Sequence, residues 1–251
     1  MLATLIAFTA LCAPMVQDTS PNESLFAKFI ENRVGAGEPV YWYCIGELYR
    51  YPEGELIARV EGVDTARLEP SSLSATTATQ LSRKVFFYLD PITGAVITER
   101  NGQAVKPIEY PYQLIRYRLA DGKLIAEVEQ GSGARLQKVS ANKTRVRVVG
   151  DTTFFSIPLF VSVETPRGRI EAYENYDFVV GAGAKDRVLT WNRFSDLPPA
   201  FGTGKSVFQL VARRFDKFTD LPRGFQARIR AIAPLWQNPP KDLNEIRELQ
   251  K

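Results

Sequence analysis

"VYWYCIGELYRY", residues 40–51, decides the fold. In an extended chain Tyr41, Tyr43, Ile45, Glu47, Tyr49 and Tyr51 share one face, and Trp42, Cys44, Gly46, Leu48 and Arg50 share the other. A period of two among aromatic and branched residues predicts a strand rather than a helix. The same period continues to about residue 215. It is carried by "LIARVEGV" (56–63), "LSRKVFFYL" (81–89), "AVITE" (95–99), "YQLIRYRL" (112–119), "KLIAEVE" (123–129), "RLQKVS" (135–140) and "RVRVVG" (145–150). Beyond these lie "TTFFSIPLFVSVE" (152–164), "RIEAYENYDFVV" (169–180), "RVLTWNRF" (187–194) and "SVFQLVARRF" (206–215).

Turn chemistry separates the runs: Pro52-Glu53-Gly54, Asp121-Gly122, Gly131-Ser132-Gly133, Asn142, Gly150-Asp151 and Pro166-Arg167-Gly168. In "YLDPITG" (88–94), Pro91 presets φ, Gly94 supplies a positive φ, and the Asp90 carboxylate can accept from backbone amides. Asp90 therefore reads as a structural acid at a hairpin turn. Short linkers favour antiparallel neighbours in chain order. A meander of about a dozen strands leaves two long edges open unless the sheet closes. The expected fold is all-β: a closed or nearly closed calycin/lipocalin-like barrel over residues 39–216, wide enough to hold a small ligand. A β-sandwich is the alternative.

The flanks differ. Residues 22–34 read as a helix capped by Asn22 or Ser24, with Leu25, Phe26, Phe29 and Ile30 as an apolar stripe and Gly35 and Gly37 as its stop. Residues 222–250 read as two short helices parted by Pro239-Pro240. No residue before Asp18 is charged, and the run from Leu2 to Val16 is apolar but short for a bilayer span. Residues 1–17 thus read as a signal peptide preceding a single domain over 18–251. That implies a periplasmic or secreted protein with no membrane span after processing; an N-terminal membrane anchor is the alternative. Cys12 would leave with the signal, so Cys44 would have no partner and would serve as a small buried apolar residue.

"RVGAGEPVYWYCIGELY", "ARVEGVDTARLEP", "RKVFFYLDPITGAVI", "PIEYPYQLIRYRL", and near the end "FTDLP" and "APLWQNPP", resemble a bacterial family of unknown function, the one numbered 1838 in the domain-of-unknown-function series. The "YLDPITG" turn is the most specific segment. Where such sequences tend to continue with a second Asn-Pro-x-Thr-Gly turn, this chain has "ERNGQAV", whose Asn101-Gly102 can still turn. The resemblance implies a β-rich, often exported domain and no established activity, so it transfers no catalytic residue.

The chain holds no histidine. That excludes His-dependent triads and dyads, His-bearing zinc sites and the facial-triad iron site. A single cysteine after processing excludes thiolate clusters, and no metal or cofactor is expected. The net charge of +4 is spread along the chain instead of being gathered on one face, which argues against nucleic acid as a partner. "GAGAKD" (181–186) and "GTGKS" (202–206) look like phosphate loops, but Pro199 stands where the second needs its first glycine, and a strand follows it, not a helix.

What remains is acids, tyrosines and arginines on strands. Tyr41, Tyr43, Glu47 and Tyr49 share a face, and so do Glu174 and Tyr176. A face mixing tyrosines with one carboxylate suits a ligand cavity or an exposed exterior equally well. Arg116 and Arg118 share a face with Tyr112 and Leu114; they need acidic partners such as Glu47 or Glu174 if they point inward, and are ordinary surface if they point outward. Trp191 and Trp236 could floor a pocket or equally serve as core or barrel-plug residues. The leading expectation is a binding module for a small apolar or aromatic molecule, held by Tyr41, Tyr43, Glu47, Tyr49, Arg116, Arg118, Glu174, Tyr176 and Trp191. A second is a cofactor-free isomerase, cyclase or hydratase working through Glu47, Glu174, Tyr43 and Tyr176. A third is an assembly protein with no small-molecule site. The oligomeric state is not legible in the sequence.

Overall fold

The structure, a computed structural model, describes residues 17–132, 135–165, 168–181 and 187–250. The expected leader lies outside these residues apart from Gln17, as do Gly133, Pro166, Arg167 and most of "GAGAKD". In chain order the elements are β1 (Gln17–Asp18), α1 (Glu23–Val34), β2 (Val40–Tyr51), β3 (Leu56–Leu68), β4 (Thr77–Leu89), β5 (Glu99–Arg100), β6 (Gln103–Ala104), β7 (Ile108–Ala120) and β8 (Lys123–Ser132). There follow β9 (Arg135–Ala141), β10 (Arg145–Val149), β11 (Thr152–Thr165), β12 (Gly168–Val180), β13 (Val188–Asp196), β14 (Lys205–Phe215), α2 (Arg223–Ile232) and α3 (Leu243–Leu249).

Two antiparallel meanders make the body. One runs β2-β3-β4-β7-β8-β9 and the other β10 to β14; pairing of β14 with β2 joins them into a single 12-stranded sheet with β1 added at the β10 edge. The sheet curls until β9 lies against β11, with no ladder between the two among the described residues. The result is the expected all-β barrel, nearly closed, with one seam. A sandwich would need two sheets facing each other, whereas here one continuous sheet wraps an interior.

One expected strand is not built. After the Asp90 turn, "AVITE" returns beside β4 through a single bridge, Leu89 to Val96. The chain then makes the small β5–β6 hairpin across Asn101 and Gly102, both at positive φ. β7 takes the place beside β4 because it offers a long alternating partner with Ile115 and Tyr117 facing in. The turn itself is as expected. Asp90 Oδ1 accepts from Thr93 N (2.8 Å), Thr93 Oγ1 (3.0 Å) and Ile92 N (3.0 Å), and these bonds, the Thr93 amide first, hold the carboxyl below its usual range.

α1 occupies the interior. Asn22 caps it, its side chain accepting from Leu25 N at 2.9 Å, and Gly35 at φ 72° ends it. Phe29, wholly buried, packs on Tyr117 of β7 and on Phe155 and Phe178 of β11 and β12, with ring centroids 5.2–5.4 Å away. One side chain thus spans both sides of the seam that the backbone leaves unpaired. On the wall, the Phe86 ring lies against Gly62. A Cβ on Gly62 would sit 2.0 Å from the Phe86 ring and 2.3 Å from the Val85 carbonyl oxygen, so only glycine fits.

The C-terminal segment covers the outer face of β2–β4. Phe225 and Ile229 of α2, with Ala233 and Trp236, pack on Tyr41, Val63, Val85 and Phe87, while Ile246 of α3 packs on Leu81, Tyr112 and Leu114. Its anchor lies at a register shift between Ser82 and Lys84. There Arg83 turns outward and donates to Pro111 O and Asn238 O, each at 2.9 Å, and to Glu245. Next to it, Trp236 Nε1 donates to Lys84 O at 2.8 Å.

Candidate functional site

The barrel holds a partly open cavity of about 140 Å³. One part of its wall is polar: Arg33 of α1, Lys84, Tyr110, Gln113, Glu174 and Arg193. The other part is apolar. It comprises Ala126 and Val128 of β8, Val139 and Ala141 of β9, and Ile157, Leu159 and Val161 of β11. The apolar wall is thus built by strands that flank the seam.

Glu174 lines the polar part and Asp64 pairs with its Arg33, so each of these two carboxylates is taken by an arginine. Arg33 Nη2 meets Asp64 Oδ2 at 2.6 Å, with both side chains over nine-tenths buried. Arg33 Nη1 and Asp64 Oδ1 are buried without a hydrogen-bond partner. Burial pulls the Arg33 guanidinium down, but Asp64 and then Tyr117 outweigh it, so its pKa lies above the ordinary value. The Tyr117 hydroxyl donates to Gln80 Oε1 at 2.9 Å. In the same polar part Arg193 Nη1 stands 3.6 Å from Glu174 Oε1. Glu174 Oε2 accepts from Tyr176 (2.8 Å) and from Trp191 Nε1 (3.1 Å). Burial first, and then the Glu174 charge, push the Tyr176 phenol well above its usual value; burial likewise raises Tyr110 and Tyr117.

Lys84 is different. It is 7% exposed and lines the cavity. Among the described residues its Nζ has no hydrogen-bond acceptor and no carboxylate in ion-pair contact; its neighbours are rings, with Trp191 at 5.2 Å, Tyr176 at 5.6 Å and Phe86 at 6.0 Å from centroid to nitrogen. Asp64 is its direct cross-strand partner, yet the Asp64 side chain pairs with Arg33. An ammonium favours such ring faces by about 2 kcal/mol when desolvated. That offsets only part of the cost of burying a charge with no counter-ion.

Of the residues expected at the site, Glu174 and Tyr176 line the cavity and Trp191 stands behind them. The others stand outside the barrel, which corrects the expectation for each. Tyr41, Tyr43, Glu47 and Tyr49 occupy the outer face of β2, because Trp42, Cys44 and Leu48 on the opposite face are the larger apolar set and turn inward. Tyr41 and Tyr43 pack under α2. Tyr43 donates to Glu61 at 2.6 Å, Glu61 also meets Arg228, and Tyr49 donates to Glu47 at 2.6 Å. Arg116 and Arg118 are exposed, because Ile115 and Tyr117 claim the inner face of β7. Trp236 lies outside as well, in the C-terminal cover.

The residues missed are Arg33, Asp64, Lys84, Tyr110 and Arg193. Asp64 left a trace, since it falls on the same strand face as Val60, Gly62 and Ala66, where a carboxylate calls for a buried partner. Cys44 is buried inside, and burial with Asp64 nearby raises its thiol far above the ordinary value, which disarms it as a nucleophile. Among the described residues no group of three or more acidic or cysteine side chains is placed to hold a metal, and no helix is long and apolar enough to cross a membrane. Compared with known proteins, the chain matches no family model, no curated protein and no solved structure.

Proposed function

We propose that the barrel binds a small organic anion with an apolar body, its acid group against Lys84 and Arg33 and its body along the β8–β9–β11 wall. The observation that carries this reading is Lys84: a lysine over nine-tenths buried, on the cavity, without an acidic partner. Counting the charges that line the cavity or pair with its lining, Arg33 matches Asp64 and Arg193 matches Glu174, leaving one cation unmatched. A ligand carboxylate would supply the missing charge beside Arg33, whose pair with Asp64 uses Nη2 alone. The volume admits on the order of ten water-sized groups, which suits a short acid and not a long lipid. The same arrangement weighs against Glu174 as a general base, because both of its oxygens are already engaged by Tyr176, Trp191 and Arg193. Two readings from the sequence belong to this proposal: removal of an apolar leader with export, and kinship with family 1838.

Calorimetry with short straight-chain and aromatic carboxylic acids, each beside its methyl ester, tests it. Saturable binding of acids, weaker by about tenfold or more for the esters and for Lys84→Met, is the expected result. Equal affinity for acid and ester, or no binding of either, overturns it.

A further inference from the structure

Resting on that reading, we infer that Lys84 is also a covalent site, forming an imine with a small carbonyl compound that carries a carboxylate, such as a 2-oxo acid. Two residues that line the same cavity each carry an unmatched nitrogen donor, and the two differ in kind. Arg33 Nη1 is a planar guanidinium nitrogen with no partner, suited to a carboxylate and unreactive toward carbonyls. Lys84 Nζ is a primary amine with no partner, and amines of this type condense with aldehydes and ketones. A simple acid offers the two donors one carboxylate to share, whereas an oxo acid gives each a group of its own, the carboxylate to Arg33 and the carbonyl to Lys84.

The surroundings are those that reactive lysines require. Lys84 is over nine-tenths buried, has Phe86, Tyr176 and Trp191 around its nitrogen, and shares its cavity with the cations Arg33 and Arg193. No carboxylate holds Nζ, so its approach to a bound carbonyl carbon breaks no ion pair. Its position is fixed from outside, since Trp236 grips its own carbonyl and Arg83 ties the adjacent residue to the C-terminal segment. In the condensation the C–N bond forms, the carbonyl oxygen leaves as water with two of the three ammonium protons, and the protonated imine keeps the single positive charge. No oxidant, reductant or further reactant is needed.

The test is reductive trapping on the whole chain. Pyruvate, glyoxylate and the neutral aldehyde butanal are each incubated with the protein and reduced with sodium borohydride. Intact mass and peptide mapping then locate any adduct. A single adduct on Lys84, formed by the oxo acids at about tenfold lower concentration than by butanal and absent in Lys84→Arg, is expected. Saturating acetate or benzoate should protect Lys84 in the wild-type chain, a control that depends on no variant folding. Adducts spread over surface lysines, unchanged in Lys84→Arg and unprotected by acids, overturn the inference. Absence of any adduct in a protein that binds acids by calorimetry overturns the imine alone. Failure of both measurements overturns the binding reading with it.

Discussion

Glu47-Leu48-Tyr49 on β2 and Glu174-Asn175-Tyr176 on β12 are the same local device. In each, a phenol two residues beyond a glutamate shares its strand face and donates to its carboxylate, at 2.6 Å in the first and 2.8 Å in the second. The first pair stands outside the barrel and the second lines the cavity. The inner carboxylate gains the Trp191 N–H and the Arg193 guanidinium. Tyr49 is raised chiefly by its hydrogen bond to Glu47, Tyr176 chiefly by burial. Alternation therefore says which residues travel together but not which side of the sheet they reach. The opposite face settles that. Behind Glu47 lies Leu48, with Cys44 and Trp42 further along, and these claim the interior; behind Glu174 lie Asn175 and Asp177, which do not.

The largest expected consequence of that difference is alkaline instability. Tyr88, Tyr110, Tyr117 and Tyr176 are all raised by burial above the ordinary value of 10.0. A phenol whose folded value is raised contributes stability that is whole below pH 10 and is lost as pH climbs from there through the folded value. Each tyrosine kept neutral in the fold and ionised in the unfolded chain costs about 1.4 kcal/mol per pH unit in that window, so four together cost about 5 kcal/mol per unit. Tyrosinate absorbance should rise first from outer phenols, and the remainder should ionise only with unfolding followed by circular dichroism. A smooth titration of all tyrosines in a folded protein would remove the distinction between the two sides.

Next in size is removal of the two carboxylates. Glu174→Gln leaves Arg193 without its partner. Breaking a fully buried pair costs about 3–5 kcal/mol, and the partial exposure of Arg193, 26%, reduces that to about 2–3 kcal/mol. Glu47→Gln removes an outer carboxylate and is expected to cost at most about 0.5 kcal/mol. Urea midpoints at neutral pH measure both. Equal losses would mean that inside and outside do not differ energetically for this device.

Much of the barrel was legible because its signals are local. Asn101-Gly102 and Asp121-Gly122 announce turns through their positive φ, and the β2 alternation announces a strand. The site was less legible because it is assembled from distant pieces. In "LSRKVFFYL" each face carries one cation, Arg83 beside Leu81, Val85 and Phe87, or Lys84 beside Ser82, Phe86 and Tyr88. Nothing in that run shows that Arg83 will be claimed by a segment some 150 residues away, leaving Lys84 inside. Arg33 sits in the last turn of α1, an ordinary place for a basic residue, and drew no notice there. Its role appears only when α1 enters the barrel and meets Asp64. Tyr41 and Tyr43 misled in the other direction, since their cover, α2, lies at the far end of the chain.

The smallest effect separates the two phenols. Tyr176→Phe keeps the ring stacked on Trp191 (5.6 Å) and near Lys84 while deleting the donor to Glu174. A buried hydrogen bond to a charged acceptor is worth about 1.5 kcal/mol or more, so a loss of that order is expected. Tyr49→Phe deletes the same bond on the outside, where water replaces the hydroxyl, and about 0.5 kcal/mol or less is expected. The comparison is sharp because ring packing is retained in both variants and only the hydroxyl changes. If Tyr176→Phe proves as mild as Tyr49→Phe, the Trp191 N–H and Arg193 hold Glu174 by themselves, and its carboxylate has an oxygen position to spare for a ligand's donor. The cavity's preference would then move from acids toward molecules that also bring a hydroxyl or an ammonium.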